Sequence, residues 1–233
     1  IRAESRNSAL ELFVGDLSSM GDVRRVALEV RARHPKLDVL INNAGGVFKE
    51  RLETVDGFEY TFAFNHLSYF LLTNLLLPSL EAAGNARVVS VSSAAQAPGR
   101  VRWNDLQFET GYTPLASYSQ SKLMNVLFAN ALARRLHGTG VTSNSLHPGR
   151  VRSSFGRDLR GFNKLLFNLT IFSSVSPEQG AQTSLYLATS PEVAGVSGGY
   201  FVNQKPRRAN PTAYNEGAQE RLWRLSEQLV SKW

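Results

Sequence analysis

Short continuous apolar runs alternate along this chain with longer helical stretches, and no other feature restricts the fold as much. Five runs read as strands: Leu10 to Val14, Asp38 to Asn42, Arg87 to Val91, Val141 to His147, and Tyr200 to Val202, the last entered through Gly198 and Gly199. Each is short and bounded by turn or polar residues. Their apolar residues are continuous instead of alternating, which argues for helices on both faces of a parallel sheet. The pattern therefore predicts an α/β fold built from βαβ units.

Helices are predicted over Asp22 to Arg33, Gly57 to Ala83, Tyr118 to His137, Pro177 to Ala188 and Pro211 to Lys232. Ser18 or Ser19 is positioned to cap the first, and Pro35 lies just past its end. The stretch from Ser92 to Thr113 lacks periodicity and carries Pro98, Gly99 and Gly111, so it reads as an excursion beyond a strand end. Residues 150–176 are a second irregular stretch, read as a lid over a substrate cleft. No linker composition divides the 233 residues, which read as one domain.

Zero Cys excludes thiol catalysis, thiolate zinc sites and a disulfide framework, and points to a reducing, cytoplasmic setting. The longest dense apolar run, Phe70 to Leu80, falls far short of the ~20 residues a membrane span requires. Net charge is +7, and the arginines occur as scattered pairs such as Arg24–Arg25, Arg134–Arg135 and Arg207–Arg208. Spread charge of this kind reads as a solvated surface, and no nucleic-acid partner is expected.

Chemistry concentrates in Tyr118-Ser119-Gln120-Ser121-Lys122. Residues four apart share a helical face, so a phenol stands beside an ammonium, which can stabilise a phenolate. With 7 Tyr and 6 Lys in the chain, the pair alone is a weak signal. Its company strengthens it. Ser92-Ser93, Asn42-Asn43-Ala44-Gly45-Gly46 and Pro148-Gly149 each close a strand, and ligands bind at the carboxyl ends of strands in open parallel sheets. His66 and His147 have no partner at metal spacing and read as structural.

With these motifs the chain resembles the short-chain dehydrogenase/reductase family, and within it the retinol-dehydrogenase-like branch, from about Leu10 to the C-terminus. The resemblance implies a Rossmann-like, doubly wound sheet and hydride transfer between a nicotinamide cofactor and a small-molecule alcohol or carbonyl. It implies Tyr118 as general acid/base, Lys122 as the group that lowers the Tyr118 pKa and holds the nicotinamide ribose, and Ser93 as the clamp on the substrate oxygen. Asn65, through its backbone carbonyl, would hold a water linking Lys122 to solvent. Asp16, Leu17, Asn42, Ala44, Gly45, Pro148 and Gly149 would line the cofactor, and the backbone at Val151 with the hydroxyl of Ser153 would fix its carboxamide. Asp16 has a rival reading as a turn-forming residue before a helix.

The family's opening strand and glycine-rich turn are not among these residues. The expectation is that two strands, which in the family lie between Leu10–Val14 and Asp38–Asn42, are missing. A non-catalytic chain acting by binding is therefore the alternative function. NADP or NAD is the expected cofactor, with the branch leaning toward NADP. Trp103, Phe108, Phe155 and Phe172 are candidate pocket walls, the substrate is expected to be an apolar retinoid- or lipid-like carbonyl, and the helices over 57–83 and 118–137 are the candidate homodimer surface.

Overall fold

A computed structural model of the chain describes residues 7–149 and 175–233. At its centre five strands lie in the order β1 (Val39–Asn42), β2 (Arg87–Val91), β3 (Thr142–His147), β4 (Tyr200–Val202) and β5 (Lys205–Arg207). The first four are parallel and β5 turns back antiparallel on β4. Alternation along β2 sends Val88 to one face and Val89 and Val91 to the other. Val88 joins a core built from α1 (Met20–Arg33), α2 (Ser68–Ala83) and α3 (Pro114–Arg135). Val89 and Val91 pack with Leu146, Phe201 and Leu187, the last from α4 (Pro177–Thr189). A final helix, α5 (Glu216–Val230), lies on the first core and adds Leu222, Trp223 and Val230 to it.

Four of the five predicted strands form. Leu10 to Val14 does not: Leu12 is 83% and Val14 71% exposed, and no strand among the described residues offers the segment a ladder. Unpaired backbone groups are left to water and side chains, so the run stays irregular. Arg25 and Arg33 tether it, through the Val14 carbonyl and the Glu11 carboxylate. The fifth strand is instead β5, which the sequence reading missed because Lys-Pro-Arg lacks apolar character. Its proline is tolerated because β5 is an edge.

The helix predicted over 57–83 is interrupted. A single turn at Tyr60–Phe62 leads into a π turn at Ala63–Leu67 before α2 begins. The Glu59 carboxylate caps this assembly, accepting from the Thr61 and Phe62 amides at 2.8 Å each. Helix α3 starts earlier than predicted, because the Thr113 hydroxyl caps it and Pro114 fits its first turn. The predicted C-terminal helix splits into a short turn at Pro211–Tyr214 and α5, which Asn215 caps.

Helix α3 is buried at every position from Ser117 to Leu132. The cover is α5: the Trp223 ring stacks on Phe128 with centroids 5.9 Å apart, and Arg135 lies 3.9 Å above the same indole. The helix at 118–137, expected to offer a homodimer surface, therefore has its apolar face occupied within one chain.

Candidate active site

The Tyr-Lys pair stands at the carboxyl end of β2. Ser92 is buried and donates from its hydroxyl to the Lys122 carbonyl at 2.7 Å, so its role is structural. Ser93 faces the cleft. Its hydroxyl hydrogen-bonds the Tyr118 phenol and accepts from the Ala95 amide at 3.2 Å, while its carbonyl accepts from the Tyr200 hydroxyl at 3.3 Å. The Lys122 ammonium donates to the Val91 carbonyl at 3.1 Å and lies 5.7 Å from the Tyr118 ring and 5.8 Å from Tyr69.

Burial dominates the electrostatics of both groups. It pushes the Tyr118 phenol up to about 12, with the Ser93 hydrogen bond working the other way, and the Lys122 ammonium down to about 7. The expected depression of Tyr118 by Lys122 is thus not what these side chains produce by themselves. A desolvated lysine loses much of its charge near neutrality, and with it the pull on a neighbouring phenol.

The side chain of Asn65 is hydrogen-bonded to two other segments of the chain. Its Oδ1 accepts from the Gly46 amide, and its Nδ2 donates to the Gly46 carbonyl and to the Ser121 hydroxyl, all at 2.9 Å. Those three bonds lock the Asn42–Gly46 turn to helix α3. The π turn makes this reach possible, since widening one helical turn re-aims the residues within it. Sequence reasoning missed Ser121, Gly46 and Tyr69, whose hydroxyl donates to the Ala44 carbonyl at 2.7 Å. Tyr69 stands four positions after Asn65, the spacing that could have marked it.

Asn42 donates to Thr73 at 2.9 Å, and its Oδ1 has no hydrogen-bond partner among the described residues. Leu17, Asn42 and Ala44 come together with Ile41, Tyr69 and Leu72 around a cavity of about 140 Å³. Asp16 uses its carboxylate locally, accepting from the Ser18 amide and hydroxyl at 2.8 and 2.7 Å, as its turn-forming reading expects. Pro148 and Gly149 follow β3, with Gly149 at φ 87°, a conformation that favours glycine. Val151, Ser153 and the lid expected at 150–176, apart from its last two residues, lie outside the described residues. Trp103 lies under Arg221 and lines a separate cavity with Leu225 and Leu229, and Phe108 is buried under Arg102.

The residues present fit a ribose-linked nicotinamide. A Cβ on Gly45 would stand 2.9 Å from the Lys122 Nζ and 3.4 Å from the Asn65 Oδ1, so the turn is kept bare beside the ammonium. Lys122 gives one N–H to Val91 and retains two for a diol. No group of three or more potential metal ligands occurs among the described residues.

Residues 1–163 match the short chain dehydrogenase family. The chain is 47% identical over 218 residues to human retinol dehydrogenase 14, covering 92% of this chain and 65% of that protein. It spans just under two thirds of that relative's length. Among solved structures, an uncharacterised protein from Mycobacterium paratuberculosis is 35% identical with a TM-score of 0.77, covering 99% of this chain and 80% of that one. The Pseudomonas aeruginosa RhlG/NADP complex is 26% identical with a TM-score of 0.66, covering 84% and 76%.

Proposed function

This chain belongs to the short-chain dehydrogenase family, and from that premise we propose that it is an NAD(P)-dependent oxidoreductase interconverting an alcohol and an aldehyde or ketone. The observation that carries the proposal is the buried Tyr118 phenol, hydrogen-bonded to Ser93 with Lys122 one helical turn away. NADP(H) is taken as the cofactor, a choice supported by the NADP complex among similar structures. An apolar, retinoid-like substrate is supported by the likeness to a retinol dehydrogenase. The absence of cysteine supports a reducing, cytoplasmic setting.

Lys122 and the bare Gly45 turn would hold the ribose of a nicotinamide, which when bound would supply or accept the hydride. The chain's own residues handle the proton. With its pKa raised to about 12, Tyr118 is protonated at neutral pH and suited to donate from Oη to a carbonyl oxygen as that oxygen gains negative charge. Ser93 holds the same oxygen by hydrogen bonding, which fixes the distance over which the proton moves. In the opposite direction Tyr118 takes the alcohol proton on Oη as a phenolate, and positive charge on Lys122 favours that ionised starting form. Asn65 keeps the Gly45–Gly46 turn against Lys122, so the ammonium and the phenol hold their spacing.

Purified protein with NADPH and retinaldehyde tests the proposal. Tyr118→Phe is expected to lower turnover on the order of 10³-fold, the range of a lost acid catalyst, while nicotinamide binding by fluorescence is retained. Wild-type protein that binds no dinucleotide, or a Tyr118→Phe variant with full turnover, overturns it.

A further inference from the structure

Beneath the catalytic pair runs a line of buried polar side chains that the proposed chemistry does not use. Ser226 of α5, His66 of the π turn and Asn125 of α3 are all 0% exposed. The Ser226 hydroxyl stands 2.9 Å from the His66 Nε2. Asn125 follows Lys122 by three positions and shares its side of the helix. Both reach the same acceptor: the Val91 carbonyl takes the Lys122 ammonium at 3.1 Å and the Asn125 Nδ2 at 3.4 Å.

Two atoms of this line, the His66 Nδ1 and the Asn125 Oδ1, are buried without a hydrogen-bond partner among the described residues. They are left over on side chains that face each other, and Asn125 raises the His66 pKa against the effect of burial, as an oxygen turned toward the ring does. A neutral imidazole carries one N–H. With Nε2 accepting from Ser226, that hydrogen sits on Nδ1, and the Asn125 Oδ1 is the acceptor beside it. A small side-chain rotation closes the bond, which costs less than leaving a buried donor and a buried acceptor both unmet. The closure also decides which end of the Asn125 amide faces Val91, since the turned-over amide would set oxygen against oxygen.

A carbonyl oxygen offers two lone pairs. With the Asn125 Nδ2 on one, the ammonium is left the other, on the side of the Gly45 turn, where a glycine Cβ would stand 2.9 Å from Nζ. We propose that Asn125 is a positioning residue for Lys122: oriented by His66, it occupies one side of the Val91 carbonyl, confines the ammonium to the other and keeps its two remaining N–H groups aimed at the Gly45 turn. The value of that aim for cofactor binding rests on the dehydrogenase reading, whereas the positioning itself does not.

Protein carrying 13C-labelled lysine tests it, because each Cε signal reports the charge of its own lysine and Lys122→Met identifies the signal among six. The titratable groups facing Lys122 are the phenols of Tyr118 and Tyr69, both kept neutral by burial, and wild-type Lys122 is expected to titrate at about 7. Asn125→Leu leaves the Val91 carbonyl to the ammonium alone, which favours the charged form, so its midpoint is expected to rise by about half a pH unit or more. His66→Leu releases the amide and is expected to shift the midpoint in the same direction. The double variant is expected to move it no further than Asn125→Leu does, because both changes act through one bond. His66→Asn, whose Nδ2 is attached to Cγ as the imidazole Nδ1 is, is expected to restore the wild-type midpoint. Should Asn125→Leu fail to fold because it strands the His66 N–H, the double variant removes both leftover groups and carries the same expectation. NADPH is expected to bind Asn125→Leu about tenfold more weakly, the effect of one misdirected hydrogen bond. An unmoved midpoint in the folded variants, additive shifts in the double variant, a His66→Asn midpoint displaced as far as that of His66→Leu, or unchanged NADPH affinity in Asn125→Leu would each overturn the proposal. A shifted midpoint in a chain whose wild type binds no dinucleotide would instead overturn the dehydrogenase reading and leave the positioning standing.

Discussion

Replacing Lys122 by Met measures what the catalytic ammonium costs the fold. Burial lowers its pKa from 10.5 to about 7, and the residue is only 3% exposed. The folded pKa lies below the unfolded one, so between those values the unfolded chain binds more protons and stability rises with pH. At about 1.36 kcal/mol per pH unit, the full window amounts to about 5 kcal/mol. The stretch from pH 7 to pH 9, before tyrosines of the unfolded chain lose protons, carries about 2 kcal/mol. Urea unfolding followed by tryptophan fluorescence should therefore show wild-type stability rising by that amount, or Tm rising by roughly 4–8 °C for a chain of this size. Lys122→Met should show no such rise, should be more stable than wild type at pH 7 by about 1–4 kcal/mol, and should turn over no substrate. A wild-type curve flat from pH 7 to 9, or a variant with the same slope, refutes the reasoning.

Two further predictions use the same surroundings. His66 is fully buried, its Nε2 2.9 Å from the Ser226 hydroxyl, and burial lowers its pKa from 6.5 to about 4. Its neutral form is thus favoured by folding, and stability is lost as pH falls below 6.5; between pH 6.5 and 5 wild type should lose about 2 kcal/mol more than His66→Gln. Parallel denaturation curves for the two proteins over that range would count against it. Gly45→Ala should cost about 1–3 kcal/mol by overpacking, because its Cβ meets an Nζ already held on Val91. Turnover should fall further than stability does, and a variant with normal kcat would show that the bare turn is not required.

The sequence made the architecture readable wherever an element carried its own signal. The runs that became β1, β2 and β4 are largely apolar and continuous, β3 is mostly small and polar (Thr-Ser-Asn-Ser-Leu-His), and each found a neighbour. Leu10 to Val14 has the same composition and forms no strand, because pairing is a property of two segments and no periodicity reports the second one. Strand β5 shows the converse: Lys-Pro-Arg has no strand character and forms one because the Asn203–Gln204 turn folds it onto β4. At the site, Tyr118, Lys122 and Ser93 were legible from spacing and strand ends. The Asn65 linkage was not, since its partners Gly46 and Ser121 lie 19 and 56 positions away and a π turn sets its aim. The ordering of pKa values was also hidden, because it depends on how completely the helix is covered.

That cover has a temporal side. Helix α3 is complete at Arg135, yet Leu222 and Trp223, which close over Phe128, come nearly ninety positions later, and the His66–Ser226 bond joins residues 160 apart. At ribosomal rates of about 5–20 residues per second, the Tyr118 helix waits roughly 5–20 s with an apolar flank open to water. During that interval the nascent chain is a substrate for holdase chaperones and for its own neighbours on a polysome. Codon or temperature changes that lengthen the wait should lower the yield of folded protein without altering the stability of the molecules that finish.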